Sequence, residues 1–115
     1  MTELVEVALF TDDVEAARRF YETLAGAAPA ATRPGGAIFA LRGVKLLVHE
    51  RAATMDDGPP NEDHVALGVS DLDAACETLR RQGLTFLVGP RQYPWGRSAY
   101  LRDPDERLVE LSETG

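Results

Sequence analysis

Residues 4–10 and 64–69 are short stretches rich in Val and Leu, the pattern of strands whose successive side chains alternate faces. In the later stretch Val65, Leu67 and Val69 fall on one side, and His64, Ala66 and Gly68 on the other. A helical period follows each stretch. Val14, Ala17, Phe20, Tyr21 and Leu24 form one stripe, and Leu72, Ala75, Cys76 and Leu79 form another, predicting helices over 14–25 and 72–82. Asp13 and Asp71 stand where an N-cap carboxylate would accept first-turn amides, and Gly26 and Gly83 stand at the far ends. More strand pattern comes next, at 37–42 and 45–50 around a turn at Gly43, and at 85–88, 98–102 and 108–113. An Asp-Pro-Asp-Glu turn, 103–106, joins the last two, and a weakly marked strand is expected around 29–33.

The two halves repeat one another. At an offset of 58, Val7, Ala8, Leu9, Asp13, Ala16 and Ala17 match Val65, Ala66, Leu67, Asp71, Ala74 and Ala75. This points to two copies of a βαβββ module, 1–52 and 63–115, within a single domain of 115 residues. Residues 53–62 are polar with Gly-Pro-Pro and read as the linker. One helix covers one face of a four-stranded sheet, so the other face must meet the second module or a partner chain. The expected class is α+β: two tandem modules forming a cup-shaped, partly open, β-barrel-like sheet with the helices outside. Glu6 and His64 then hold equivalent inward positions.

Charge and composition narrow the partners. The formal net charge is −7, with Lys45 the one lysine against 19 acids, which argues against nucleic acid. No apolar run approaches a membrane span, and the opening residues do not read as a signal peptide. A lone cysteine, Cys76, forms no internal disulfide and reads as a small core residue, so a cytoplasmic protein is expected.

The paired modules, a His opening the second one and "YLRDPDERLVEL" closing it resemble the vicinal oxygen chelate superfamily. That group includes glyoxalase I, fosfomycin-resistance transferases, methylmalonyl-CoA epimerases, extradiol dioxygenases and bleomycin-resistance proteins. Family members commonly close on D-P-D-G-N, where this chain has Glu106 and Arg107 in place of Gly-Asn. The resemblance implies metal ligands on the first and last strands of each module, at Glu6, Leu47, His64 and Glu110. Three of these can bind a metal and Leu47 cannot. One nitrogen and two carboxylates suit Zn²⁺, Mn²⁺, Fe²⁺ or Ni²⁺, and leave positions open for substrate. The plainer reading keeps His64 as a satisfied polar residue and Glu6 as the partner of an arginine.

The implied function is a glyoxalase-like enzyme of lyase, isomerase or dioxygenase type, whose divalent metal chelates adjacent oxygens of a small molecule. Glu110 would be both ligand and catalytic group. The alternative is a metal-independent binding protein of the bleomycin-resistance type. Loss of the ligand at Leu47 argues against glyoxalase I, and near-absence of lysine against a fosfomycin transferase. Ligand-binding candidates are Phe10, Leu47, His49, Trp95 and Arg97. His49 reads as a displaced ligand, a rim base or a surface histidine. Trp95 offers a flat wall and Arg97 a fork for an anion, or else Trp95 packs its loop and Arg97 pairs with Asp103 or Asp105. A homodimer is expected, to cover sheet faces and edges beyond the reach of one chain.

Overall fold

A computed structural model describes residues 2–51 and 61–114. Most of the expected linker, 53–60, lies outside the described residues. The chain divides into two compact units, Glu6–Asp63 and His64–Gly115, the latter joined by the first five residues. In order, the first module runs β1 (Glu3–Thr11), α1 (Val14–Ala25), β2 (Ala31–Arg33), β3 (Gly36–Leu41) and β4 (Val44–Glu50). The second runs β5 (His64–Val69), α2 (Leu72–Arg81), β6 (Phe86–Tyr93), β7 (Gly96–Arg102) and β8 (Leu108–Glu113). Both modules are βαβββ, and the class is α+β with mixed sheets, as the alternation predicts. Within the first module the strand order is β2-β3-β4-β1, and within the second β6-β7-β8-β5. Each last strand lies parallel to its own module's first strand, and the rest pair as antiparallel hairpins. Among the described residues no helix is long and apolar enough to cross a membrane.

The caps form as the sequence predicts. Asp13 Oδ1 accepts from the Ala16 amide at 3.0 Å, and Asp71 Oδ1 from the Ala74 amide at 3.1 Å. Gly26 takes the left-handed conformation that ends α1, at φ 71°. The α2 stripe also forms as predicted. Leu72 and Cys76 are buried with Val69, Ala99 and Leu111, and Ala75 and Leu79 pack against that cluster.

The α1 stripe is different from the expected one. Ala17 and Tyr21 pack on Ala37, Phe39 and Val48, but Phe20 and Leu24 are 61% and 71% exposed. The covered side runs through Val14, Ala17, Arg18, Tyr21 and Glu22, so the helix is rotated away from Phe20. Arg18 on this side is held by Glu15 at 2.7 Å and Glu22 at 2.6 Å, which keeps its charge paired while its stem is half covered.

These clusters also orient the strands. Leu67 and Val69 of β5, Leu111 of β8 and Ala99 of β7 all meet α2. By parity, His64, Glu110, Ser112, Ser98 and Tyr100 lie on the opposite face of that sheet. Gly68 shares this face and has no room for a side chain. A Cβ there would sit 2.7 Å from Thr114 Cγ2 and 2.8 Å from Val5 Cγ1.

Candidate functional site

The second module builds a buried polar centre on the face opposite α2. His64 opens β5 and pairs in register with Leu108 of β8, while Ala66 pairs with Glu110. That places His64 and Glu110 two residues apart on neighbouring parallel strands, on one face. Their side chains are each 5% exposed, and His64 Nε2 lies 3.0 Å from Glu110 Oε1. The other oxygen, Oε2, accepts from the Ser98 hydroxyl at 2.7 Å and the Ser112 hydroxyl at 2.8 Å. Ser98 is supplied by β7, whose register sets Ser98 beside Ser112 and Tyr100 beside Glu110.

Burial alone would push the Glu110 carboxyl up. Hydrogen bonds from His64, Ser98 and Ser112, with the charge of His64, outweigh it and hold the group below its ordinary range. Glu110 is therefore a carboxylate at neutral pH, and the nitrogen facing it carries a proton.

Aromatic rings extend from this centre. His64 meets the edge of Tyr100 at 5.9 Å, Tyr100 meets Tyr93 at 6.1 Å, and Tyr93 stacks on Trp95 at 4.7 Å. The Trp95 indole N–H points to Ser98 Oγ at 3.4 Å, and the ring is 54% exposed. Trp95 thus ends a connected series leading back to Glu110. Arg97 does not belong to it. It lies on the α2 face of β7, where Asp73 takes both guanidinium N–H groups at 3.0 and 3.1 Å. Its acid partner is Asp73, in place of the Asp103 or Asp105 of the alternative reading; those two pair with Arg107.

The remaining candidates belong to the first module. Glu6 pairs in register with Lys45 of β4, and Ala8 with Leu47. Leu47 therefore stands to Glu6 as Glu110 stands to His64, two residues along the neighbouring parallel strand. Within the repeat, Leu47 occupies in the first module the place that Glu110 holds in the second. His49 pairs with Phe10 in register, the rings 5.8 Å apart, and its Nδ1 donates to the Glu50 carbonyl at 2.9 Å.

Among the described residues no group of three His, Cys, Asp or Glu side chains stands ready to hold a metal ion. The 3.0 Å between His64 Nε2 and Glu110 Oε1 is the length of a hydrogen bond, and two donors fall short of the three protein ligands of a catalytic metal site.

Sequence reasoning missed Ser98, Tyr93 and Tyr100. Period-2 parity within β7 puts Ser98 and Tyr100 on one face, but their meeting with Glu110 depends on the β7–β8 register.

Comparison with known proteins agrees with this architecture. The model of the glyoxalase/bleomycin resistance protein/dioxygenase superfamily matches residues 3–111. A probable lactoylglutathione lyase of Vibrio cholerae is 36% identical over 50 residues, which span 42% of this chain and 36% of that protein. A solved structure described as the NAD-dependent benzaldehyde dehydrogenase from Legionella pneumophila superposes with a TM-score of 0.78 at 17% identity, covering 96% of this chain and 98% of the other. A Streptomyces coelicolor methylmalonyl-CoA epimerase, in complex with 2-nitronate-propionyl-CoA, superposes with a TM-score of 0.73 at 23% identity, covering 100% and 99%. At these identities the structural likeness speaks for the fold.

Proposed function

The chain belongs to the glyoxalase/bleomycin resistance protein/dioxygenase superfamily, and from that premise we propose that it is a glyoxalase-like enzyme acting on a small molecule with adjacent oxygens. The reaction is of lyase, isomerase or dioxygenase type. The observation that carries the reading is the buried His64–Glu110 pair, a carboxylate and an imidazole held 3.0 Å apart, linked through Ser98 and the tyrosine rings to an exposed Trp95 in the turn between β6 and β7. Superfamily relatives with lyase and epimerase activity support it.

His64 and Glu110, both of the second module, would be the donors toward a divalent ion. When bound, such an ion supplies a positive charge that stabilises developing negative charge on a substrate oxygen. The chain's own residues do the rest. Glu110, kept ionised, is the base available to take a proton through Oε1. Tyr100 and Ser98 close water away from it, being 1% and 0% exposed. Trp95 offers a flat apolar wall to the substrate. The test is metal analysis with Mn²⁺, Zn²⁺, Fe²⁺ and Ni²⁺. One ion per chain is expected, lost in His64→Ala; unchanged affinity in that variant would overturn the reading.

A second reading has its own support in Trp95, exposed and stacked on Tyr93. A binding protein would use that wall to hold a planar compound without metal. Tight binding unaffected by EDTA favours the binder, and activity abolished by EDTA favours the enzyme. In either case we place the protein in the cytoplasm as a homodimer. The exposed Phe20 and Leu24 of α1 are consistent with an interface, and a monomer mass by light scattering would refute it.

A further inference from the structure

We propose that His49 is a specificity-determining residue of the first module: its Nε2 accepts a hydrogen bond from a substrate hydroxyl, and the apolar side chains beside it hold the substrate's body, so that the ligand carries a hydroxyl next to its carbonyl. The inference rests on the enzyme reading given above and deepens it by naming the chemistry of one substrate oxygen. One face of the first module's sheet meets α1 through Ala37, Phe39 and Val48. By parity Phe10, Ile38, Leu47 and His49 lie on the other face. Phe10 pairs with His49 across β1 and β4, and Ile38 pairs with Leu47 across β3 and β4. All four of these residues are half-buried.

The His49 ring is held in place before any ligand arrives. Its Nδ1 lies 2.9 Å from the Glu50 carbonyl. A carbonyl only accepts, so that nitrogen carries the hydrogen. The Phe10 ring stands 5.8 Å away, tilted by 59°. On the β3 side a Cβ at Gly36 would come within 3.0 Å of His49 Cδ2, so the missing side chain there gives the imidazole its room. In the neutral ring Nε2 is then an acceptor, and among the described residues it has no hydrogen-bond partner. A substrate hydroxyl satisfies it. A methyl group in the same place leaves it unpaired beside apolar neighbours, and a carbonyl oxygen sets one acceptor against another. A site built to hydrogen-bond a hydroxyl rejects the analogue that lacks one. Phe10, Ile38 and Leu47 present apolar surface to either molecule, so the discrimination falls to His49.

The test is an NMR titration of the isotope-labelled full chain at about pH 8, where imidazole side chains are neutral. Two ketones of nearly equal size are the probes: 2-hydroxyacetophenone, and propiophenone, in which a methyl group replaces the hydroxyl. Wild type is expected to bind the hydroxyketone about tenfold more tightly, the worth of one hydrogen bond, with amide shifts centred on β1 and β4. His49→Ala is expected to bring the two dissociation constants together. His49→Gln keeps an acceptor and should retain part of the preference. Should His49→Ala lose its fold by circular dichroism, His49→Phe, which keeps a ring and has no acceptor, is read in its place. Equal binding of the two ketones by wild type, or a preference that survives the loss of the imidazole, overturns the inference and leaves the enzyme reading intact. Binding of neither ketone also overturns the inference, while the enzyme reading is decided separately by its metal analysis.

Discussion

Glu106 holds a backbone φ of 66° in the turn that joins β7 to β8. Asp103 builds that turn, accepting from the amides of Asp105 at 2.8 Å and Arg107 at 2.9 Å. A left-handed residue with a Cβ costs about 1–2 kcal/mol relative to its ordinary conformations. This is the position where related chains commonly carry Gly. Glu106→Gly is therefore expected to stabilise the protein by about 0.5–1 kcal/mol, after the entropy Gly loses on folding, and a thermal melt would show it. Glu110 makes the opposite kind of contribution. Burial raises its pKa, but the hydrogen bonds from His64, Ser98 and Ser112 and the His64 charge bring it below the ordinary 4.5. A depressed folded value means stability present above the unfolded pKa and lost as pH falls through the folded one. The melting temperature should drop as pH falls from roughly 5 toward 3, and Glu110→Gln should flatten that window. An equal slope in the variant would show that the acid sensitivity resides elsewhere.

At the scale of elements, the two helices started from similar patterns and ended with different amounts of core. α2 buries Leu72 and Cys76 completely, whereas α1 buries no residue fully. Leu72→Ala should cost about 2–5 kcal/mol, the usual loss for a large-to-small change in a packed core. Phe20→Ser should change the stability of the monomer by no more than about 0.5 kcal/mol. Denaturant melts of the two variants would separate these cases, and a large loss in Phe20→Ser would place the α1 contact surface on the side the periodicity first suggested. The hairpin between β3 and β4 shows how far local signals reach. Leu41 pairs with Val44 across Arg42 and Gly43, which both have positive φ, at 46° and 89°. The Gly43 turn was legible; the strain at Arg42 was not, because a two-residue loop imposes it only once the flanking strands pair.

Over the whole molecule, the two modules carry unequal cores. The second gathers Val69, Leu72, Cys76, Ala99 and Leu111 around α2 and Tyr93, Tyr100 and Leu108 on the opposite face. The first gathers Ala37, Phe39 and Val48. Native-state hydrogen exchange should find the amides of β5, β7 and β8 slower than those of β3 and β4. Equal protection in both sets would mean that they open as one unit. The amino-acid sequence determined by itself the features whose energy is local: the repeated strand and helix, the Asp13 and Asp71 caps, the Gly26 stop, and a shared face for Glu110 and Ser112. These follow from period, capping and turn chemistry acting over a few residues. Tertiary structure alone decided what depends on pairing across long separations. The β5–β8 register set His64 against Glu110, 46 residues on, and the β7–β8 register brought Ser98 to the same carboxylate. The side of α1 that packs on the sheet and the capture of Arg97 by Asp73 were settled by competition among several charged and apolar partners. Residue spacing along the chain carries no information about which of those partners wins.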